Sequence, residues 1–320
     1  MITFLGDIAL LNSNISSEYI TEGDYIANFE YVCDNNNLTP VPGKINISSS
    51  YYDFESIFGA KPIALNVANN HILDYGIDGF MSTINTINLE GISTIGDKTY
   101  WYNDNTCILA YTLFYGEWQG VDIVQFSKEK AKREIIDAVE KGAKCVIVCM
   151  HWGIENYSLP DENQKEIGRW LIDEGVDIVI GHHPHCIQPI EKYKGGYIVY
   201  SLGNCIFPPF SLDCFYDNEG ISHRRYRFKW RKWNNRGLAV VYDEKNKTMI
   251  KVDELYYDNN MLYCTQQDVP QSKYMLANAI RPIFAKFQFK LRKYWLFFVS
   301  NSFVDGKLFD ITALKSELKK

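Results

Sequence analysis

His182, His183 and His185 stand within four positions of one another, directly after the apolar run Val176 to Ile180 and the strand-ending Gly181. The chain holds six histidines, so half of them occupy this one turn. Imidazole lone pairs kept against a core are costly unless something uses them, and a metal ion is the usual user. A metal site needs further ligands from elsewhere in the chain, carried by elements that end at the same place.

Several elements have that form. Asp7 follows the apolar run Ile2 to Leu5 and Gly6, and Glu30 closes the strand-like run from Tyr25. Asn69, Asn70 and His71 follow Pro62 to Ala68, His151 follows Lys144 to Met150, and Asn204 follows Tyr197 to Leu202 and Gly203. The run KCVIVCM is apolar on both faces, which calls for cover on both sides of a mostly parallel or mixed sheet. Such sheets gather their ligands at the carboxyl ends of strands, so residues far apart in sequence can share one site. A lone histidine at a strand end is more often structural; the shared placement of the whole set is what points to chemistry. Carboxylates, an amide oxygen and imidazoles without thiolate suit Mn, Fe, Zn or Mg rather than copper or iron–sulfur. There are enough ligands for two divalent ions with a carboxylate between them, the arrangement that clamps both oxygens of an in-line displacement at phosphorus.

Helices are expected between these strands. Ile77 to Leu89 has near-helical apolar spacing through Ile77, Phe80, Met81, Ile84, Ile87 and Leu89. A second helix starts at Ser127, with Ala131, Ile135, Ile136 and Val139 on one face and Gly142 past its end. A third has Asp161 as N-cap, Gln164 at the capping-box position, and Ile167, Trp170 and Leu171 facing inward. Residues 33–50 read as a surface loop, 208–236 as an aromatic and basic insertion, and 237–257 as a hairpin. From Ser272 the chain reads as helical, with an apolar stripe from Ile283 to Phe298. That stripe is open to core packing, a second subunit in a homo-oligomer, or peripheral contact with a membrane surface.

Composition limits the classes. With 320 residues, 46% of them hydrophobic and 22% charged, the chain buries a sizeable core and is not a disordered protein. A net charge of −6 provides no basic field, so nucleic acid is not an expected partner. The eight cysteines form no CxxC pair, which removes a zinc ribbon and suits a reducing compartment. No run approaches the roughly 18–20 apolar residues of a membrane span. The expected location is the cytoplasm, including the periphery of the membrane.

Six motifs in order carry a family resemblance: Gly6-Asp7; Asn28-Phe29-Glu30; Ala68-Asn69-Asn70-His71 with Asp74-Tyr75-Gly76; His151-Trp152-Gly153 with Glu155; Gly181-His182-His183-Pro184-His185; and Ser201-Leu202-Gly203-Asn204. Together they resemble the CapA family, named for poly-gamma-glutamate capsule synthesis, which is similar to the calcineurin-like metallophosphoesterases. The resemblance covers about residues 1–207. It implies an α/β fold, a four-layer αββα sandwich with mixed sheets. Residues 1–258 would form that domain and 259–320 a helical C-terminal extension. It further implies that Asp7 binds one metal, that Glu30 bridges, and that Asn70 and His151 bind the second ion. His183 and His185 would serve one metal each, and His71 would protonate the leaving oxygen or steady the pentavalent phosphorus.

The chain departs from the superfamily at three places. Ala9 stands where a histidine usually follows the first aspartate, the bridging acid is glutamate, and Cys205 replaces a phenylalanine. Glu155 is expected beside the reacting groups, either orienting a ligand histidine or touching substrate. Asn69, His182, Asn204 and Arg225 are expected on the substrate side, with His182 alternatively behind a ligand rather than a ligand itself. A phosphorylated small molecule or an anionic polymer would be the substrate, and the activity that of a dinuclear phosphoesterase in capsule or surface-polymer synthesis. The alternative is a non-catalytic metal-binding component of a capsule or poly-gamma-glutamate assembly machinery.

Overall fold

The computed structural model describes residues 1–274 apart from 12–13, 34–37, 51–52, 115–123, 218–220 and 229–231. Two mixed sheets form its frame. In the nine-stranded sheet, Ile2–Ile8 lies between Asp24–Phe29, to which it is parallel, and Arg236–Asp243, to which it is antiparallel; Asn204–Ile206 also pairs with it. The six-stranded sheet places Cys145–His151 between Thr106–Thr112 and Ile178–His182, all parallel.

The period-two alternation of the central strand shows how the layers stack. Cys145, Ile147 and Cys149 join Phe4, Ile26 and Leu65 of the first sheet in one core. Val146, Val148 and Met150 join Ala131, Ile135, Ile167 and Leu171 in a second core, under the helices Lys128–Glu140 and Glu162–Asp173. Each wholly buried Ile or Leu in these cores contributes about 1.5–3 kcal/mol relative to exposure. Helices Phe54–Phe58 and Gly76–Leu89 add Phe54, Phe58, Phe80, Ile84 and Ile87 to the first core. The result is the expected α/β sandwich of two mixed sheets with helices.

Local expectations fare unevenly. Asp161 caps its helix as predicted, its side chain accepting from Gln164 N–H while the Gln164 side chain accepts from Asp161 N–H. On Lys128–Glu140 the buried face is Ala131, Ile135 and Ala138, whereas Ile136 is 46% and Val139 52% exposed. At about 100° per residue, positions 136 and 139 sit a full step round from 135 and 138, and the sheet reaches only one of the two stripes. Ile77, Met81 and Leu89 are exposed for the same reason. The sheet also runs past residue 258: Met261–Gln266 pairs antiparallel with Thr248–Asp258, and a 3-10 turn follows at Gln271–Lys273. Residues 259–266 therefore belong to the sheet, because the turn at Asn259 and Asn260, both at positive φ, folds the chain back onto it. The apolar stripe 283–298 lies outside the described residues. In the 33–50 stretch, Val32–Cys33 pairs with Ser48–Ser49, and the 208–236 excursion is a hairpin of Phe210–Tyr216 and Ser222–Phe228 followed by the turn Lys232–Asn235. No helix among the described residues is long and apolar enough to cross a membrane.

Candidate metal centre

A close backbone approach assembles the first part of the site. A Cβ on Gly6 would stand 2.1 Å from the Gly203 carbonyl oxygen, so only glycine lets residues 203–206 run beside the first strand. The register then sets Asp7 opposite both Asn28 and Asn204. In the second sheet His151 lies opposite His182 at the carboxyl ends of their strands. The two sheet edges meet there, His182 Nδ1 lying 3.1 Å from Asp7 Oδ1.

Glu30, the first residue beyond Asp24–Phe29, sits at the middle. Its Oε1 lies 3.4 Å from His185 Nε2 and 3.7 Å from His151 Nε2. It is shared by two buried groups of potential ligands, Glu30 with His183 and His185, and Asp7 with Glu30 and His151, each with its ligand atoms within 4.8 Å of one another. Asn70 Oδ1 joins the second group 2.8 Å from His151 Nε2. Glu30 Oε1 and His183 Nδ1 are buried without a hydrogen-bond partner. Buried polar atoms are nearly always satisfied, and unused lone pairs converging beside carboxylate and imidazole suit a divalent cation. His183 and His185 also hold left-handed backbone, φ 92° and 52°. Such conformations cost about 1–3 kcal/mol each and persist where the surroundings enforce them; here the His183 N–H donates to Asp7 Oδ2 at 3.2 Å.

The charges are arranged for the same purpose. Burial alone would raise Asp7, but hydrogen bonds from His182 and His185 outweigh it and hold its carboxyl well below the usual range. Glu30 is pushed well above that range by burial, which the charge of His185 only partly offsets. Burial lowers His151 and His183 well below ordinary imidazole values, leaving both neutral with lone pairs to donate. Burial would lower His185 too, but Glu30 and Asp7 carry it up to about 10. The metal-free site thus keeps a proton between His185 and the carboxylates, a position a cation can take over.

Amide side chains orient the carboxylates. Ala68 N–H donates to Asn66 Oδ1 (3.0 Å), which leaves Asn66 Nδ2 to donate to Asn28 Oδ1 (3.1 Å). Asn28 Nδ2 is thereby aimed at Asp7 Oδ1 (2.9 Å) and Glu30 Oε2 (3.3 Å). Sequence reasoning assigns no part to Asn66 and none beyond its motif to Asn28; the available signal was an amide inside a buried strand. Lys44 was also missed. Its ammonium pairs with Asp74 and donates to the Asn70 carbonyl at 3.1 Å.

Other expected residues divide. His71, its side chain 13% exposed, has Nδ1 2.7 Å from buried Asp74 Oδ2 and so stands at the open side of the cluster. Glu155 is half-buried, and its charge acts on both Glu30 and His185. Asn69, His182 and Asn204, expected to touch substrate, are buried and engaged by protein. Asn69 donates to the Phe29 carbonyl and accepts from His71 N–H, His182 bonds Asp7, and Asn204 bonds His185 and the Asn234 carbonyl. Each spends side-chain polar atoms on protein beside a candidate ligand. Arg225 stays on the exposed hairpin, 3.7 Å from Asp213 opposite it, and no described contact brings it to the cluster. Ala9 is buried and adds no ligand, while Cys205 packs in the first core. Phe114, unforeseen, lies against His183 (4.0 Å between ring centroids) and His151 (5.7 Å).

Comparison with known proteins gives the family. The family described as Bacterial capsule synthesis protein PGA_cap matches residues 14–209, more than half of the chain. The chain belongs to the PGA_cap family. The matched stretch contains Glu30, Asn70, His71, His151, His183 and His185 and begins after Asp7. Among similar proteins, the PGA biosynthesis protein CapA of Bacillus subtilis is 31% identical over 205 residues, 58% of this chain and 53% of its own length. The capsule biosynthesis protein CapA of Bacillus anthracis is 29% identical over 218 residues, 60% and 52% of the two chains. A probable polyglutamine synthesis accessory protein of Mycobacterium tuberculosis is 28% identical over 198 residues, 53% and 50%. The chain spans about half the length of the curated relatives it matches.

Proposed function

We propose that this PGA_cap chain is a metal-dependent phosphoesterase acting in the synthesis of a capsule or another anionic surface polymer. The observation that carries the reading is Glu30, a buried carboxylate common to two ligand groups and left with an unused oxygen lone pair. Asp7, Glu30, His151 and Asn70 would hold one divalent ion, and Glu30, His183 and His185 the other, a different split from the one the resemblance implies. Mn, Fe, Zn and Mg all suit these donors, and when bound they supply Lewis acidity at a phosphoryl group and activation of water. His71, backed by Asp74, is placed to give a proton to a leaving oxygen. Lys44 neutralises Asp74 and keeps that pair in place. Phe114 and Phe207 wall the imidazoles with apolar surface, which strengthens charge interactions inside. The names of the Bacillus and Mycobacterium relatives support a polymer-synthesis setting, with a phosphorylated small molecule or an anionic polymer as substrate.

Metal analysis by mass spectrometry of protein purified without chelator tests the site, followed by phosphomonoester and phosphodiester screens with Mn²⁺. Less than one ion per chain, with no turnover that depends on His71 or His151, would refute the enzyme. Ala9 favours a second reading, a non-catalytic metal-binding component of the assembly machinery, because the first ion lacks an imidazole there. That reading expects bound metal without turnover.

A further inference from the structure

We infer that Asn234, in the 3-10 turn Lys232–Asn235 that closes the 208–236 excursion, is a positioning residue that fixes which nitrogen of His185 faces Glu30. The inference rests on the metal-site reading and makes the excursion part of that site.

Asn234 is 1% exposed, although Lys232 and Trp233 just before it are exposed. Its two amide hydrogens are both used: Nδ2 donates to the His185 carbonyl (2.6 Å) and to Asn156 Oδ1 (2.8 Å). Its own backbone carbonyl accepts from Asn204 Nδ2 at 2.9 Å. A carbonyl oxygen can only accept, so the NH₂ of Asn204 must point at residue 234 and its Oδ1 must point the other way. Oδ1 then lies 2.9 Å from His185 Nδ1. An amide oxygen also only accepts, so the proton must sit on Nδ1. Asp7 Oδ2, 3.3 Å from the same nitrogen, is a second acceptor and agrees. The remaining lone pair of neutral His185 is on Nε2, 3.4 Å from Glu30 Oε1, where a shared cation would lie.

The contacts form a closed ring from the His185 carbonyl through Asn234 and Asn204 to the His185 imidazole. They grip both the left-handed backbone of His185 and its tautomer. The Asn156 arm extends the hold, since Asn156 N–H donates to the Pro184 carbonyl at 2.8 Å. One residue thereby ties the loop after His151 and the histidine turn through its side chain, and the strand of Asn204 through its backbone carbonyl. Partners that orient a metal-bound imidazole typically matter 10–100-fold in metal affinity.

The test uses Zn²⁺ as probe, titrated calorimetrically into the metal-free 320-residue chain. Wild type is compared with Asn234→Ala, Asn234→Asp and, as a control on the same turn, Lys232→Ala. Zn²⁺-loaded wild type is also examined by ¹⁵N-histidine NMR. The expected result is about 10–100-fold weaker binding for Asn234→Ala. Asn234→Asp should lose at least as much, because it keeps the volume but turns an acceptor toward the His185 carbonyl. Lys232→Ala should bind as wild type does. His185 in the loaded wild type should carry its proton on Nδ1. A purely structural role would lower the melting temperature of both Asn234 variants while leaving their Zn²⁺ affinity unchanged, which would overturn the inference. So would a His185 proton on Nε2, a result that needs no variant to fold. Wild type that binds no Zn²⁺ at all would instead bring down the metal-site reading, and this inference with it.

Discussion

Acid should empty the proposed metal centre. Burial alone would lower the His185 imidazole, but Glu30 and Asp7 hold it up at about 10 in the metal-free site. At pH 7 that is about three units of protonation to overcome, and at ~1.4 kcal/mol per unit the displaced proton costs about 4 kcal/mol of metal affinity. Affinity should therefore rise about tenfold per pH unit between pH 6.5 and 8.5, with about one proton released per ion bound. Titration of Mn²⁺ calorimetrically in buffers of different ionisation heat measures both quantities. The sign for the fold itself follows from the same shift. A group whose pKa is raised in the folded state contributes stability that is complete below its unfolded value, near 6.5, and lost as pH rises through about 10. The metal-free protein should lose stability toward pH 10, while the loaded protein, with no proton at that position, should not. An affinity flat across the window, with no proton released, would refute the placing of His185 between the two carboxylates.

Other outcomes follow from particular contacts. Gly6→Ala puts a methyl 2.1 Å from the Gly203 carbonyl, backbone that cannot give way, and should cost about 3 kcal/mol or more in chemical denaturation; an unchanged midpoint would contradict the strand approach. His71→Asn should lower phosphoester turnover about 10²–10⁴-fold with metal content intact, and loss of metal in that variant would make His71 a ligand instead. Asp161→Ala removes the capping-box acceptor 2.7 Å from Gln164 N–H and should lower stability by about 1 kcal/mol in urea, with the site unaffected.

The strand-end candidate ligands were legible as a cluster because their signal is local. An apolar run buried on both faces needs few residues to declare itself, and the polar residue that ends it is at the sheet edge whatever the partners are. Asp7, Glu30, Asn70, His151, His183 and His185 all follow that rule and meet in one cluster. Helical faces were less legible. Ile136 and Val139 match a helical period as well as Ala131 and Ile135 do, and only the position of the sheet chooses between the stripes. Asn69 and Asn204, expected toward substrate, turn to protein for a related reason: an amide next to a candidate ligand reads the same whether it faces substrate or protein.

What the sequence by itself determined is the donor set and its order along the chain, because residue type and strand period are properties of short segments. What only the tertiary structure decided is how those donors are aimed. Asn28 reaches Asp7 across 21 positions, Asn66 reaches Asn28 across 38, and Asn234 reaches His185 across 49. Asn66 takes its polarity from the Ala68 N–H and hands it to Asn28 across the sheet, while Asn234 takes its own from the His185 carbonyl that one closing turn brings to it.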